Sequence, residues 1–356
     1  DYSFSKSTII ILILAYSLRI GTTFYYILMD KQKALIIGGT GYLGYHICRE
    51  LIEKDYLVTA ISIDDVPQNF LPAEVTIKKA DLNKITDPEL EELFRNHNYF
   101  IFAAGLDDRF TPKKPAFDKF YKANVESVVR LISIAKKAGV QKNVILNSYF
   151  AYFNRIWPEM HLADKHPYIT SRLLQQQKSF ATAGDNMPTA VIELPYIVGV
   201  TPTKGSLWSG LIKYVNSKGK YKFYTHGGTA VVSVRNVGLA IANAIELTTE
   251  NTCYQVVDVN LSWAEWLNSL KKDKNRQIKV IYIPNFLVKI GAAFLKITQL
   301  IKGEESGLNV VDFIDLQTKN TFLPIEESKA KLQYGKYNIE QDFKDTVDMC
   351  MATSSK

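Results

Sequence analysis

Gly38, Gly41 and Gly44 recur at three-residue spacing within the stretch Gly38-Gly39-Thr40-Gly41-Tyr42-Leu43-Gly44. The apolar run Ala34-Leu35-Ile36-Ile37 precedes it, and Ile47, Leu51 and Ile52 follow at helical spacing. Such a turn lets the backbone approach a pyrophosphate, which then meets the amide donors and positive dipole end of the helix. The spacing alone is a weak signal. Its place between a strand and a helix makes it a dinucleotide-binding signature, with Gly38, Thr40, Gly41, Tyr42, Leu43 and Gly44 as its contact residues. The competing reading is a tight strand-to-helix turn in a fold that has lost its ligand. A carboxylate that bonds the ribose 2′-hydroxyl is expected about 20 residues on, at the end of the second strand. Asp64 and Asp65 stand there, with no lysine or arginine between Ser62 and Asp65. A carboxylate repels the extra phosphate of NADP, so the reading is NAD over NADP, with Asp64 as the ribose ligand.

These residues need a scaffold, and the chain supplies alternating patterns for one. Strands are predicted at 34–37, 57–63, 75–78, 99–104, 144–147 and 189–194. The helices between them are predicted at 45–54, 88–94, 117–139 and 168–183. Asp87 reads as an N-cap with Pro88 at the first helical position. Lys136-Lys137-Ala138-Gly139 reads as a basic, glycine-closed C-terminus. This alternation predicts an α/β fold, a Rossmann-type doubly wound parallel sheet, with a smaller C-terminal substrate lobe. Residues 29–195 form the dinucleotide-binding domain. Residues 196–356 form mainly the substrate lobe, with some segments returning to the core. In that lobe, helices are predicted at 208–215 and 237–247 and strands at 230–234, 254–257 and 279–283. The apolar stretch from Phe286 to Ile301 is too short to span a bilayer and is expected to pack the lobe, with a membrane-surface role as the alternative.

Composition excludes several function classes. Apolar residues make up 47% and charged residues 22% of 356, as in a globular protein with a sizeable core. The +7 formal charge is scattered, and its densest cluster, Lys271-Lys272-Asp273-Lys274-Asn275-Arg276, contains an acid. That pattern argues against nucleic acid and is compatible with anionic cofactors. Cys48, Cys253 and Cys350 are far apart and odd in number, which points to reduced thiols. Neither they nor His161 and His166 have metal-ligand spacing, so no metal is expected. Residues 1–28 are apolar but interrupted by Arg19, which would cost about 2.5–3.5 kcal/mol at the middle of a spanning helix. They read as an appended extension before Met29, giving a cytoplasmic protein. The alternative is a membrane anchor through residues 8–28.

From about Lys33 onward the residues resemble the extended short-chain dehydrogenase/reductase family, in its NAD-dependent epimerase/dehydratase group. Asp81-Leu82 resembles the pair that contacts adenine, and Ala103-Ala104-Gly105 the small-residue segment along the cofactor. Asn124 resembles the asparagine that organises the active-site backbone. Ser148 resembles the serine that polarises the substrate oxygen, and Tyr168 the catalytic tyrosine of Tyr-x-x-x-Lys. Pro195 resembles the proline bordering the nicotinamide. The helices at 117–139 and 168–183 resemble those that pair in family homodimers.

The implied chemistry is hydride transfer at a carbon bearing oxygen, with Tyr168 giving or taking the oxygen's proton. A free tyrosine has a pKa of about 10, so nearby positive charge must lower it to act as a base near neutrality. This chain carries Arg172 where the family has lysine, on the same helical face as Tyr168. Three outcomes follow: adequate substitution, altered activity, or binding without turnover. Glu193 stands where many members carry arginine, and the absence of basic residues there weakens a nucleotide-sugar substrate. Tyr149, Phe150, Tyr152, Phe153 and Trp157 suggest an aromatic pocket wall, with core packing as the competing reading. The leading expectation is an NAD(P)-dependent oxidoreductase acting on a hydroxyl or ketone of a small organic substrate, reminiscent of the dihydroflavonol-reductase and hydroxysteroid-dehydrogenase branch. The alternatives are a nucleotide-sugar epimerase or dehydratase, and a dinucleotide-binding sensor or scaffold.

Overall fold

A computed structural model of the chain describes residues 31–202 and 207–353. The apolar stretch at 1–28, with its readings as extension or anchor, lies outside the described residues, as does Met29.

The central sheet is formed by β1 (Lys33–Ile37), β2 (Leu57–Ser62), β3 (Thr76–Lys79), β4 (Tyr99–Phe102), β5 (Lys142–Ser148) and β6 (Thr189–Leu194). A later strand completes it. The smaller lobe contributes β7 (Tyr196–Val198), β8 (Tyr221–Tyr224) and β9 (Gly228–Ser233), and β10 (Thr252–Gln255) then joins the main sheet beside β6. The order is β10-β6-β5-β4-β1-β2-β3, with every pair parallel. Covering by helices on both faces explains the unbroken apolar strands. Ala34 and Ile36 enter one core with the helices Tyr42–Glu53 and Val234–Leu247. Leu35 and Ile37 enter the other with Phe94, Phe100 and Leu131.

The chain runs outward from β1 to β3 and then crosses back to β4, so the order reverses between β1 and β4. A crevice opens there beyond the carboxyl ends of the strands, and such switch points are where ligands bind in open α/β sheets. β9 also pairs with β7, β11 (Val259–Ser262) and β13 (Asn320–Thr321), while β8 pairs with β12 (Lys279–Tyr282).

Several local expectations are corrected. The helix Asp87–Phe94 is capped by Thr86, not Asp87. The Thr86 side chain accepts from the Glu89 backbone N–H, and the Glu89 carboxylate accepts from the Thr86 N–H at 2.8 Å. Such a cap contributes about 1 kcal/mol. The fourth strand stops at Phe102, leaving Ala103 and Ala104 in a loop that reaches the crevice. The single helix expected from 117 to 139 is three pieces. Ala116–Tyr121 and Ser127–Lys137 flank a π-turn at Lys122–Glu126 that holds Asn124 wholly buried.

The helix Asn285–Ile301 does not pack the lobe as expected, because none of its residues is buried. The side chains it turns toward the protein are mostly small or polar, which leaves its large apolar ones outside. Among the described residues, no helix is long and apolar enough to cross a membrane.

Candidate active site

The glycine turn sits at the carboxyl end of β1. Gly38 has φ +83°, and a Cβ there would lie 2.7 Å from the Ala103 carbonyl oxygen. A Cβ on Gly44 would collide with the Gly38 carbonyl oxygen and come within 2.6 Å of the Gly39 Cα. The turn and the loop after β4 thus approach more closely than side chains allow. Gly41 is the N-cap of the helix Tyr42–Glu53 and brings no side-chain cap, so the helix start can face an anion.

A cavity of about 700 Å³ opens over this turn, lined by Gly38, Thr40, Gly41, Asp64, Asp65, Asp81, Leu82 and the Ala103-Ala104-Gly105 segment. Thr40 Oγ1 donates to Ser62 Oγ at 2.9 Å, and Ser62 Oγ donates to the Asp64 carbonyl at 2.7 Å, tying the turn to the end of β2. Asp65 pairs with Lys79 at 2.8 Å. Gly44 and Asn124 lie outside the lining. Gly44 acts by close packing. Asn124 accepts from the Leu106 N–H at 2.8 Å and donates to the Leu106 carbonyl and to Ser171 Oγ, fixing the loop behind Gly105.

A second chamber of about 330 Å³ shares Ala103, Ala104 and Gly105 with the first and is lined by Tyr42, Leu43, Ser148, Tyr168, Arg172 and Pro195. Ser148 ends β5 and caps the helix Tyr149–Ile156, accepting from the Phe150 N–H at 3.3 Å. Tyr168 lies in the first turn of the helix Pro167–Ala183, and its N–H donates to the Gly307 carbonyl at 2.9 Å. Arg172 follows one turn later on the same face. Its guanidinium carbon sits 5.1 Å from the Tyr168 ring centroid. It donates to the Leu106 carbonyl and Gln175 Oε1 at 3.0 Å each and to the Leu146 carbonyl at 3.4 Å. Its buried Nε has no partner in the structure. The arginine therefore keeps its charge beside the tyrosine while bracing the loop after β4 against β5.

Burial pushes the Tyr168 phenol above its ordinary pKa. The Arg172 charge pulls it back, Asp108 pushes it up again, and hydrogen bonding with Ser148 and Arg172 lowers it, but the net direction is upward. Desolvation outweighs the arginine. The described site thus holds a protonated phenol at neutral pH, suited to donating a proton.

Sequence reasoning missed the Asp107-Asp108-Arg109 group at the chamber wall. Burial, with help from the neighbouring Asp107, raises the Asp108 carboxyl. Burial also acts to raise Asp107, but hydrogen bonds and charge from Arg109 hold it below the usual carboxylate range. These are loop residues, and their adjacency to Tyr168 exists only across the fold.

The aromatic wall is partly corrected. Tyr149 and Phe150 line the chamber, joined by Tyr196 and Trp208, whereas Phe153 is fully buried and stacks on Trp157 at 4.4 Å. Tyr152 and Trp157 likewise lie outside the lining. Glu193 turns away from the chamber. It forms a buried bidentate pair with Arg155 at 2.7 Å and accepts from Gln255 at 2.6 Å. Its departure from the family pattern is structural. Among the described residues no three His, Cys, Asp or Glu side chains cluster as metal ligands. His166 is buried, accepts from the Asn309 N–H at 3.0 Å and is held neutral by burial, its pKa lowered to about 4.

A doubly wound parallel sheet with a glycine cradle at its switch point defines a Rossmann-type α/β class. More narrowly, residues 34–247 match the family model for the NAD dependent epimerase/dehydratase family. The match covers more than half of the chain, which belongs to that family. It is 27% identical over 152 residues to UDP-glucose 4-epimerase of Pongo abelii, covering 38% of this chain and 42% of that protein. It is 27% identical over 212 residues to the sterol-4-alpha-carboxylate 3-dehydrogenase, decarboxylating, of Mus musculus, covering 56% and 55%. The chain thus matches about half the length of these curated relatives. The solved structure of MoeE5 in complex with UDP-glucose and NAD superposes with a TM-score of 0.64 at 15% identity, covering 91% of this chain and all of that one, a likeness of fold.

Proposed function

We propose that this protein is an NAD-dependent oxidoreductase that transfers hydride at a hydroxyl or ketone carbon of a small, largely apolar substrate, with Tyr168 as the proton donor. The observation that carries the reading is the chamber beside the glycine cavity. It is lined by Ser148 and Tyr168 and meets the first cavity at Ala103, Ala104 and Gly105, and its aromatic walls bear two arginines that are already engaged. Arg109 is paired with Asp107, and Arg172 is held by carbonyls and Gln175. A nucleotide-sugar diphosphate calls for cations available to meet it. The described walls add two aspartates instead, and this favours an uncharged substrate over the epimerase alternative.

The residues of the first cavity fit a dinucleotide: a cradle that a Cβ would fill, a helix N-terminus and Asp64 at the ribose end. When bound, NAD supplies the hydride acceptor or donor. Ser148 then holds the substrate oxygen by a hydrogen bond, Tyr168 gives it a proton, and Arg172 opposes the burial that keeps the phenol neutral. Asn124 fixes the Leu106 loop, to which Arg172 also bonds.

Initial rates with NADH against a panel of apolar ketones and aldehydes, run beside UDP-sugars, test the proposal. Turnover of the carbonyl panel that is lost in Tyr168→Phe supports it. Interconversion of UDP-sugars with no net change in cofactor would instead establish the epimerase reading. Cofactor binding with no turnover of any substrate would establish the sensor.

A further inference from the structure

The helix Asn285–Ile301 is built inside out. Toward the protein it presents Lys289 to Asp315 at 2.7 Å, Lys296 to Asn309 at 3.3 Å and Gln299 to Ser306 at 2.6 Å. Toward solvent, Phe286, Ile290, Phe294, Ile297 and Ile301 fall within one arc of the helical wheel. Their exposures run from 51% to 81%. The strand pair that leads into the helix repeats the pattern. Phe223 on β8 and its register partner Ile281 on β12 are both exposed, while Lys222, between Tyr221 and Phe223, points inward and is 1% exposed. Large apolar side chains exposed in such a stripe mark an interaction site.

Charge identifies the partner. Residues 270–303 contain eight basic side chains and one acid, Asp273, and residues 207–226 contain four lysines and no acid. These two stretches carry a larger positive excess than the +7 of the whole chain, so the remainder is net negative. A second copy would set these like charges against one another. A nucleic acid would leave the phenylalanines and isoleucines in water. A bilayer with anionic headgroups satisfies both features, taking the apolar stripe among its acyl chains and exposed lysines such as Lys218, Lys220, Lys279 and Lys302 at its surface. At about 1.5 Å per residue, 17 residues give a helix that is too short to span but able to lie in the interface.

We propose that the helix Asn285–Ile301 and the adjoining outer face of β8 and β12 dock this protein in the plane of an anionic lipid bilayer. The test is co-sedimentation of the full chain with vesicles of phosphatidylcholine alone and of phosphatidylcholine with phosphatidylserine. The parent is expected to pellet preferentially with the anionic vesicles. The variant Phe286→Ser/Ile290→Ser/Phe294→Ser is expected to bind at least about tenfold more weakly, because three large apolar groups no longer leave water. Its melting temperature and dinucleotide binding should match the parent's. A second variant, Phe294→Trp, reports directly, with tryptophan emission shifting to the blue when anionic vesicles are added. No pelleting of the parent, equal pelleting of the serine variant, or an emission that does not move would overturn the proposal. So would a parent dimer that the serine substitutions dissociate without any vesicle binding, which would identify a second copy as the partner.

Discussion

Titrating the two directions of the proposed reaction separately examines the electrostatic balance at Tyr168. The phenol starts from an ordinary pKa of about 10, and burial moves it further up in spite of Arg172. The phenolate is therefore a minor form at pH 7, a handicap for any step that needs the anion. Carbonyl reduction uses the phenol itself, so its rate should stay flat between about pH 6 and about pH 9. Alcohol oxidation uses the phenolate and should climb about tenfold per pH unit over the same window. Tyr168→Phe should lower kcat in both directions by about 10²–10⁴ with little change in KM. The assay is nicotinamide absorbance in initial-rate experiments at saturating substrate. An oxidation limb that levels off below about pH 8 would show that the arginine outweighs burial. Activity within about twofold of the parent in Tyr168→Phe would show that another group moves the proton.

Three other substitutions probe the site. Gly44→Ala drives a methyl into the Gly38 carbonyl and should cost about 1–3 kcal/mol in thermal unfolding while abolishing dinucleotide binding. An unchanged melting curve would refute the close packing. Arg172→Lys cannot reach the Leu106 and Leu146 carbonyls and Gln175 together. It should destabilise the fold by about 1–3 kcal/mol in urea titration with no gain in turnover. A large gain would mean that the arginine impairs catalysis. Asp64→Ala should narrow the preference for NAD over NADP by about tenfold, read as the ratio of dissociation constants. An unaltered ratio would remove Asp64 from the ribose site.

The sheet was legible because strands buried on both faces must be apolar throughout, and Ala34–Ile37, Val144–Asn147 and Thr189–Leu194 are nearly so. The glycine turn was legible because close approach of backbone to backbone leaves one residue type available. The π-turn at Asn124 was not. It adds one residue to a helix whose apolar spacing continues on both sides, and the loop its Asn124 bonds, at Leu106, lies elsewhere in the sequence. Asp107, Asp108 and Arg109 belong to an irregular loop with no periodicity to read. Their role comes from a tyrosine sixty residues away. The apolar pattern of 286–301 was visible, but periodicity gives a stripe and not the direction in which it faces.

The late arrival of β10 bears on how this chain is made. When residues 33–194 have left the ribosome, six of the seven strands exist, yet β6 is still an unprotected edge, and its Thr-Ala-Val-Ile-Glu-Leu sequence is buried throughout in the finished protein. The helix Tyr42–Glu53 also waits for Val234–Leu247 to cover it. An exposed apolar edge is a template for pairing with another chain. The nascent protein is thus most vulnerable to misassembly between the emergence of Leu194 and that of Gln255. A stop anywhere in that interval would release a fragment that holds the glycine cradle but lacks the strand that covers β6.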